Sequence, residues 1–199
     1  MSEVQSTFRL HCGDPAPDFS LPAAGGKILS RGETAGPNGL LVVFACNHCP
    51  YVIHVADALG DLARGIASLG VGTVAINSND TDNHPQDDAK RMPAFAAHHH
   101  WEFPYLIDGS QEVAKAYGAA CTPDFFLLDS AGRLYYTGQF DATRPHGGRV
   151  AHGGDLRDAV RRMLAGEEPA ARPYPSCGCN IKWKAGQQPA WWNAGGRTY

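Results

Sequence analysis

The stretch Leu40-Leu41-Val42-Val43-Phe44-Ala45-Cys46-Asn47-His48-Cys49-Pro50-Tyr51-Val52 constrains the fold more than any other part of the chain. Its apolar run, Leu40 to Ala45, has the length and composition of a buried strand and leads directly into Cys46-Asn47-His48-Cys49. After Pro50, apolar residues recur at Val52, Val55, Ala56, Leu59, Leu62, Ala63, Ile66 and Leu69. That is a helical face of period about 3.6, ended by Gly70. Val71 to Ile76 then reads as a second strand. Strand, Cys-x-x-Cys, helix and strand make a βαβ unit with a dithiol at the helix N-terminus, which in an intracellular chain points to thiol–disulfide chemistry.

The unpaired N–H groups and the positive dipole end of a helix N-terminus stabilise a thiolate, and the thiolate is the nucleophilic form of cysteine. On this reading Cys46 is the reactive thiol, its pKa brought to about 7 or below from roughly 8.5. Cys49, one turn along the same helix, attacks a mixed disulfide formed on Cys46. Pro50 fits the first helical turn, where its missing N–H costs nothing. Half of a structural zinc site, or a pair of inert core thiols, are the other readings of the motif. The flanking strand and helix favour the redox reading over both.

A chain of 199 residues reads as one domain with extensions, able to bury roughly 70% of its unfolded surface. A formal net charge of −3 provides no basic field, so no nucleic-acid partner is expected. No stretch approaches the length of a membrane span, so no membrane association is expected. Met1 to Ser6 lacks a basic region followed by an apolar core, and a cytoplasmic location is the expectation. Cytoplasmic thiols stay mostly reduced, so six cysteines suggest chemistry more than stapling.

Gly25-Gly26 followed by Lys27 to Ser30 reads as a small hairpin ahead of the core, and Gly32 to Gly39 as a loop. Asn77 to Pro85 is polar and loop-like. Gln86 to Trp101 reads as a helix interrupted or restarted at Pro93. His98, His99 and His100 point about 100° apart on a regular helix and cannot ligate one metal together. Gln111 to Tyr117 reads as a short helix, and Cys121 to Asp129 with Arg133 to Thr137 as a β-hairpin turned at Ser130-Ala131-Gly132. A loop from Arg144 to Gly154 precedes a last helix, about Asp155 to Leu164. The expected division is a domain over residues 1–168 and a tail over 169–199. Prolines and glycines in that tail break any periodic element, yet it holds Cys177, Cys179, Trp183, Trp191 and Trp192. The tail is therefore expected to pack on the body or on a second subunit, the latter making a homodimer.

The Ala16-Pro17-Asp18-Phe19 segment ahead of the reactive cysteine resembles the entry to the peroxiredoxin-like and redoxin (AhpC/TSA-type) branch of the thioredoxin-like superfamily. Phe103-Pro104-Tyr105-Leu106, Tyr117-Gly118-Ala119 and Cys179-Asn180-Ile181-Lys182-Trp183-Lys184 are similar to a peroxiredoxin-like group within it that carries the Cys-Asn-His-Cys-Pro motif. The resemblance implies an α/β fold: a central mixed sheet flanked by helices, with an N-terminal hairpin and a C-terminal extension. It also implies that Thr122-Pro123 is the cis-proline junction lying against the dithiol. Proline there leaves no N–H beside the sulfurs, and the Thr122 backbone can pair with an extended substrate as an edge strand would.

Departures from the family pattern sharpen the functional expectation. Peroxiredoxins carry proline seven residues and threonine three residues before the peroxidatic cysteine, where this chain has Gly39 and Val43. They also place an arginine where Thr122-Pro123 stands. Without these groups to hold the peroxide oxygens, an antioxidant thiol peroxidase is the weaker alternative to a thiol–disulfide oxidoreductase. The thioredoxin buried aspartate is also missing, since Leu40 to Phe44 carry no charge, so the proton acceptor for Cys49 is unassigned. His48 resembles the Cys-x-His-Cys pattern of disulfide isomerase-type sites, where an imidazole beside the thiolate makes the disulfide more oxidising. The expected site is thus Cys46, His48, Cys49, Thr122 and Pro123. No cofactor or metal is expected. The partners are a protein or small-molecule disulfide and a thiol reductant. A non-catalytic metal-binding or redox-sensing module is the alternative from another class, favoured if Cys46, Cys49, Cys177 and Cys179 converge. In the tail, adjacent Cys-x-Cys thiols suit exchange better than stapling. A tail cysteine close to the dithiol would relay electrons to it; a docked tail with idle thiols is the other reading.

Overall fold

The structure is a computed structural model and describes residues 3–192; the end of the expected tail, 193–199, lies outside the described residues. The chain runs through β1 (Glu3–Gln5), β2 (Ser20–Pro22), β3 (Ile28–Ser30), α1 (Arg31–Thr34), β4 (Gly39–Phe44), α2 (Pro50–Ala67) and β5 (Val71–Asn77). A 3₁₀ turn (Pro85–Asp87), α3 (Met92–His98), β6 (Tyr105–Ile107), α4 (Glu112–Tyr117) and β7 (Cys121–Thr122) follow. β8 (Asp124–Leu128), β9 (Leu134–Gly138), α5 (Gly154–Leu164) and β10 (Cys177–Asn180) complete it.

The apolar run Leu40 to Phe44 becomes β4, the middle of a five-stranded sheet in the order β6-β5-β4-β8-β9. It pairs parallel with β5 and antiparallel with β8, and every one of its residues is buried. A strand covered on both faces has to be apolar throughout, which is why it reads as an unbroken run rather than an alternating one. Alternation still decides which core each side chain enters. Leu41 and Val43 face α2, α3 and α5, among Val52, Leu59, Met92, Phe125 and Leu156. Leu40, Val42 and Phe44 face α4 and the N-terminal segment, among Phe19, Leu21, Tyr117 and Phe126. This is the mixed, helix-flanked α/β sheet expected of the sequence. Among the described residues no helix is long and apolar enough to cross a membrane.

α2 lies close to the chain leaving α3 because Gly60 has no side chain; a Cβ there would meet the His99 carbonyl oxygen at 2.5 Å. His99 itself pairs with Asp57 on α2, Nδ1 to Oδ1 at 2.7 Å. That contact ties the end of α3 to α2.

Three expectations are corrected. The segment from Gln86 to Trp101, read as a helix interrupted or restarted at Pro93, does restart there, with Pro93 in the first turn of α3, but the part before it is only a 3₁₀ turn. The loop read over Gly32 to Gly39 begins with α1, closed by a Ser30–Glu33 capping box. The tail read as irregular contains β10, the middle strand of a second sheet in the order β1-β10-β7. The pattern could not announce β10, because Cys177-Gly178-Cys179-Asn180 has little strand propensity and forms through its partners. Beyond it, Ile181 and Trp183 are buried in the second core, and Trp191 and Trp192 meet Trp183 edge-on at 6.1 and 6.3 Å. As far as Trp192, the tail packs on its own domain.

Asp124, the residue after Pro123, is fully buried at the start of β8. Its carboxylate accepts from Ser6 Oγ at 2.7 Å and from the Ala120 N–H at 3.3 Å. Burial outweighs these bonds and pushes its pKa up to about 6. Protonation is therefore easier in the native chain than in the unfolded one, and the resulting stabilisation is complete below about pH 4 and lost as pH rises through about 6. Between about pH 4 and pH 8 the wild type should lose on the order of 3 kcal/mol relative to Asp124→Asn, measured by urea denaturation. Parallel pH profiles for the two proteins would contradict this.

Candidate active site

β4 delivers the chain into Ala45 and Cys46, and α2 begins at Pro50 with Cys49 as its N-cap. This corrects the expected placement. The N-terminal amides of the helix face Cys49, and Cys46 lies ahead of the helix in a bend. The bend is held by one buried carboxylate. The N–H groups of Asn47 and His48 donate to Asp87 Oδ1 at 2.9 and 3.3 Å. His48 Nδ1 and Asn79 Nδ2 lie 2.7 and 2.8 Å from Asp87 Oδ2. Asn47 also donates through Nδ2 to the Gln86 carbonyl at 3.2 Å and accepts from the Tyr105 hydroxyl at 3.2 Å. Burial works against ionisation of Asp87, yet the bonds from His48 and Asn79 hold its carboxyl below the usual range.

Thr122 gathers the two sulfurs. Its peptide bond to Pro123 is cis, its hydroxyl lies 3.4 Å from Cys46 Sγ, and its carbonyl accepts from Cys49 Sγ at 3.1 Å. Cys49 also hydrogen-bonds the Cys46 thiol and the thiol of Cys179. Both cysteines of the motif are buried. The bond to Cys49, burial and the nearby Asp87 carboxylate push the Cys46 thiol well up, opposed only by the Thr122 hydroxyl among the main influences. These influences oppose the lowering to about 7 or below expected at Cys46. At Cys49 the Cys179 and Cys46 thiols and the Val52 amide favour the thiolate, while the Thr122 carbonyl favours the thiol.

All five residues singled out in the sequence, Cys46, His48, Cys49, Thr122 and Pro123, meet at this place. The main-chain edge of Thr122, expected to be open to a substrate, is instead paired with Cys179 of β10. The four-thiolate arrangement is not what forms. Cys177 hydrogen-bonds Glu3, and burial together with Glu3 pushes its pKa up to about 12. Among the described residues the side chains placed to hold an ion are Cys46, His48 and Asp87, with ligand atoms within 4.8 Å of one another. Thiolate, imidazole and carboxylate are a donor set that zinc accepts. Cys12 is exposed, its Sγ 3.1 Å from the Tyr135 carbonyl, and Cys121 is buried. Cys179, one of the two tail cysteines expected near the dithiol, does reach Cys49, whereas Asp87 and Asn79 have no counterpart in the expected site. The latter two had a usable signal: in a parallel pair such as β4 and β5 the carboxyl ends lie side by side, so the polar run after β5 must land beside Cys46.

The Redoxin family model matches residues 11–149. The chain belongs to the Redoxin family. The matched residues of this redoxin include the dithiol, Thr122 and Pro123 and stop short of β10. A hypothetical protein of Sinorhizobium meliloti 1021, known as a crystal structure, is 47% identical with a TM-score of 0.88, covering 92% of this chain and 100% of its own. An uncharacterized conserved protein of Geobacillus kaustophilus is 40% identical, also with a TM-score of 0.88, covering 93% of this chain and 98% of its own. Coverage that high has to run well past residue 149, so both likenesses extend into the C-terminal part. The thiol-disulfide oxidoreductase ResA of Bacillus cereus is 24% identical over 126 residues, 63% of this chain and 68% of the relative.

The Thr122 hydroxyl is the group that favours a Cys46 thiolate. Thr122→Val keeps the side-chain shape and removes the donor, so the midpoint for alkylation of Cys46 should rise by about one pH unit or less. Rates measured on the Cys46 peptide by mass spectrometry would show it. A lowered midpoint would mean that the hydroxyl accepts from the thiol instead.

Proposed function

We propose that this redoxin is a thiol–disulfide oxidoreductase that cycles Cys46 and Cys49 between dithiol and disulfide. Its substrate is a protein or small-molecule disulfide, and a thiol reductant regenerates it. The observation that carries this reading is the joint hold of Thr122 on both sulfurs, hydroxyl to Cys46 and carbonyl to Cys49. That hold keeps the pair in contact beside a cis-proline.

In the forward direction Cys46 gives up its proton to solvent base and attacks one sulfur of the substrate disulfide. The Thr122 hydroxyl donates to the Cys46 thiolate. A Cys46–substrate disulfide forms, the substrate S–S bond breaks, and the first substrate thiolate leaves and is protonated. Cys49 then loses its proton, helped by the amides opening α2, and attacks Cys46 Sγ. The Cys46–Cys49 bond forms, the Cys46–substrate bond breaks, and the second substrate thiolate leaves and takes up the proton that Cys49 released. Two enzyme thiols have been oxidised and one substrate disulfide reduced; the reverse sequence oxidises a dithiol. An extended substrate reaches the Thr122 main chain only where β10 stands, so turnover of such a substrate requires β10 to move aside.

Burial and the Asp87 carboxylate keep the Cys46 thiol from ionising readily, and a peroxidatic cysteine needs its thiolate. This adds to the absence of the peroxide-holding groups at Gly39, Val43 and Thr122. A second reading rests on the ligand atoms of Cys46, His48 and Asp87, which suit a metal-binding module.

Metal-free protein should catalyse insulin reduction by dithiothreitol. Cys46→Ser and Cys49→Ser should each lower the rate by on the order of 100-fold or more, because the two sulfurs act as one unit. Hydrogen peroxide should be consumed at about the rate of an unactivated thiol. If metal-free protein does not accelerate insulin reduction, while zinc binds one to one and Cys46→Ser abolishes binding, the metal reading replaces this one.

A further inference from the structure

The tail strand occupies the position in which the fold would receive an extended substrate. Cys179 stands opposite Thr122 and Asn180 opposite Cys121, and the Ile181 N–H donates to the Ala120 carbonyl at 3.0 Å. β1 pairs along the other edge of β10, with Glu3 opposite Cys179. The seat is cut to this strand. At Gly178 a Cβ would lie 2.0 Å from the Thr122 carbonyl oxygen and 3.2 Å from the Pro123 nitrogen, so only glycine allows this approach. Asn79 links the strand's continuation to the dithiol loop, donating to Asp87 and accepting from the Lys182 N–H at 2.9 Å.

This geometry brings a third sulfur to the pair. Cys179 is buried, in the same core cluster as Cys46 and Cys49, and its thiol contacts Cys49. Cys49 is the sulfur in contact with both of the others. Thiol–disulfide exchange passes a central sulfur between two outer ones. Cys177, two residues earlier on the strand, engages Glu3 instead.

We propose that Cys179 is a third redox-active thiol of this site, exchanging with the Cys46–Cys49 disulfide to give a Cys49–Cys179 disulfide that staples β10 across Thr122. The inference rests on the dithiol cycle proposed above. In the step, the Cys179 thiolate attacks Cys49 Sγ. The Cys49–Cys179 bond forms, the Cys46–Cys49 bond breaks, and Cys46 departs as thiolate and takes up the proton that Cys179 released. The oxidation state of the protein is unchanged, the disulfide having come from the substrate. The reduced chain can release β10 to admit a substrate, and the stapled chain cannot. Cys46 is returned as a thiol while the substrate edge is shut.

The test is disulfide mapping of the full-length chain after one equivalent of oxidised glutathione and an acid quench. Wild type should yield a Cys49–Cys179 peptide beside Cys46–Cys49. In Cys46→Ser, Cys49–Cys179 should be the main disulfide. Gly178→Ala should lower the yield of Cys49–Cys179 several-fold while Cys46–Cys49 still forms. The inference is overturned if wild type yields only Cys46–Cys49 and Cys46→Ser leaves Cys179 fully alkylatable. An undiminished Cys49–Cys179 yield in Gly178→Ala would also overturn it, since the seat of β10 would then not be what presents Cys179. The crosslink in Cys46→Ser supports the inference even where insulin reduction fails, and its absence beside normal insulin reduction defeats this inference alone.

Discussion

The bond from Cys49 Sγ to the Thr122 carbonyl, 3.1 Å long, joins two parts of the chain that are far apart in sequence, at the point where a third, β10, pairs with Thr122. A hydrogen bond of this kind contributes about 1 kcal/mol net, too little to hold a fold. Its importance is positional. β4 carries Cys46 and Cys49 to the carboxyl end of the central sheet, β7 carries Thr122 to the same end, and β10 closes on Thr122 from outside. The energy comes from elsewhere: β4 is buried on both faces, between two apolar clusters. Burial of that area, at about 25 cal/mol per Å², makes the arrangement of the sulfurs a consequence of core packing and not of local bonding.

Asp87 has the complementary role. A carboxylate buried without partners would be protonated or expelled. Here amides of the dithiol loop, His48 and Asn79 supply four donors, and the loop is shaped around the charge. The same charge works against ionisation of Cys46. The site therefore combines a fixed geometry with a restrained nucleophile, which suits exchange with a docked disulfide better than interception of a diffusing oxidant.

The central βαβ unit was legible because its signals are strong and local: an unbroken apolar run, a helical period over several turns, and prolines and glycines at the boundaries. Thr122-Pro123 was legible only through resemblance, since nothing in its own composition places it against Cys46. The start of α2 was misjudged by a few residues, and that was enough to assign the helix amides to the wrong sulfur. β10 was not legible. Its residues have weak strand propensity, and its partners, Glu3 to Gln5 and Cys121-Thr122, are distant and short. The close approach that demands Gly178 is visible only once Thr122 is placed. Asp87 was hidden differently, in a polar segment whose solvent-facing look concealed a fully buried side chain.

Thiol–disulfide exchange at this site requires Cys46 and Cys49 to form a reversible redox pair. A redox titration of metal-free protein in graded glutathione buffers, with the remaining thiols counted by alkylation and mass spectrometry, tests it most directly. A single reversible transition is expected in which two thiols disappear together, Cys49 always among them, while Cys12 and Cys121 stay alkylatable. Persistence of alkylatable Cys46 and Cys49 at every potential, with any oxidation confined to other cysteines, would contradict it.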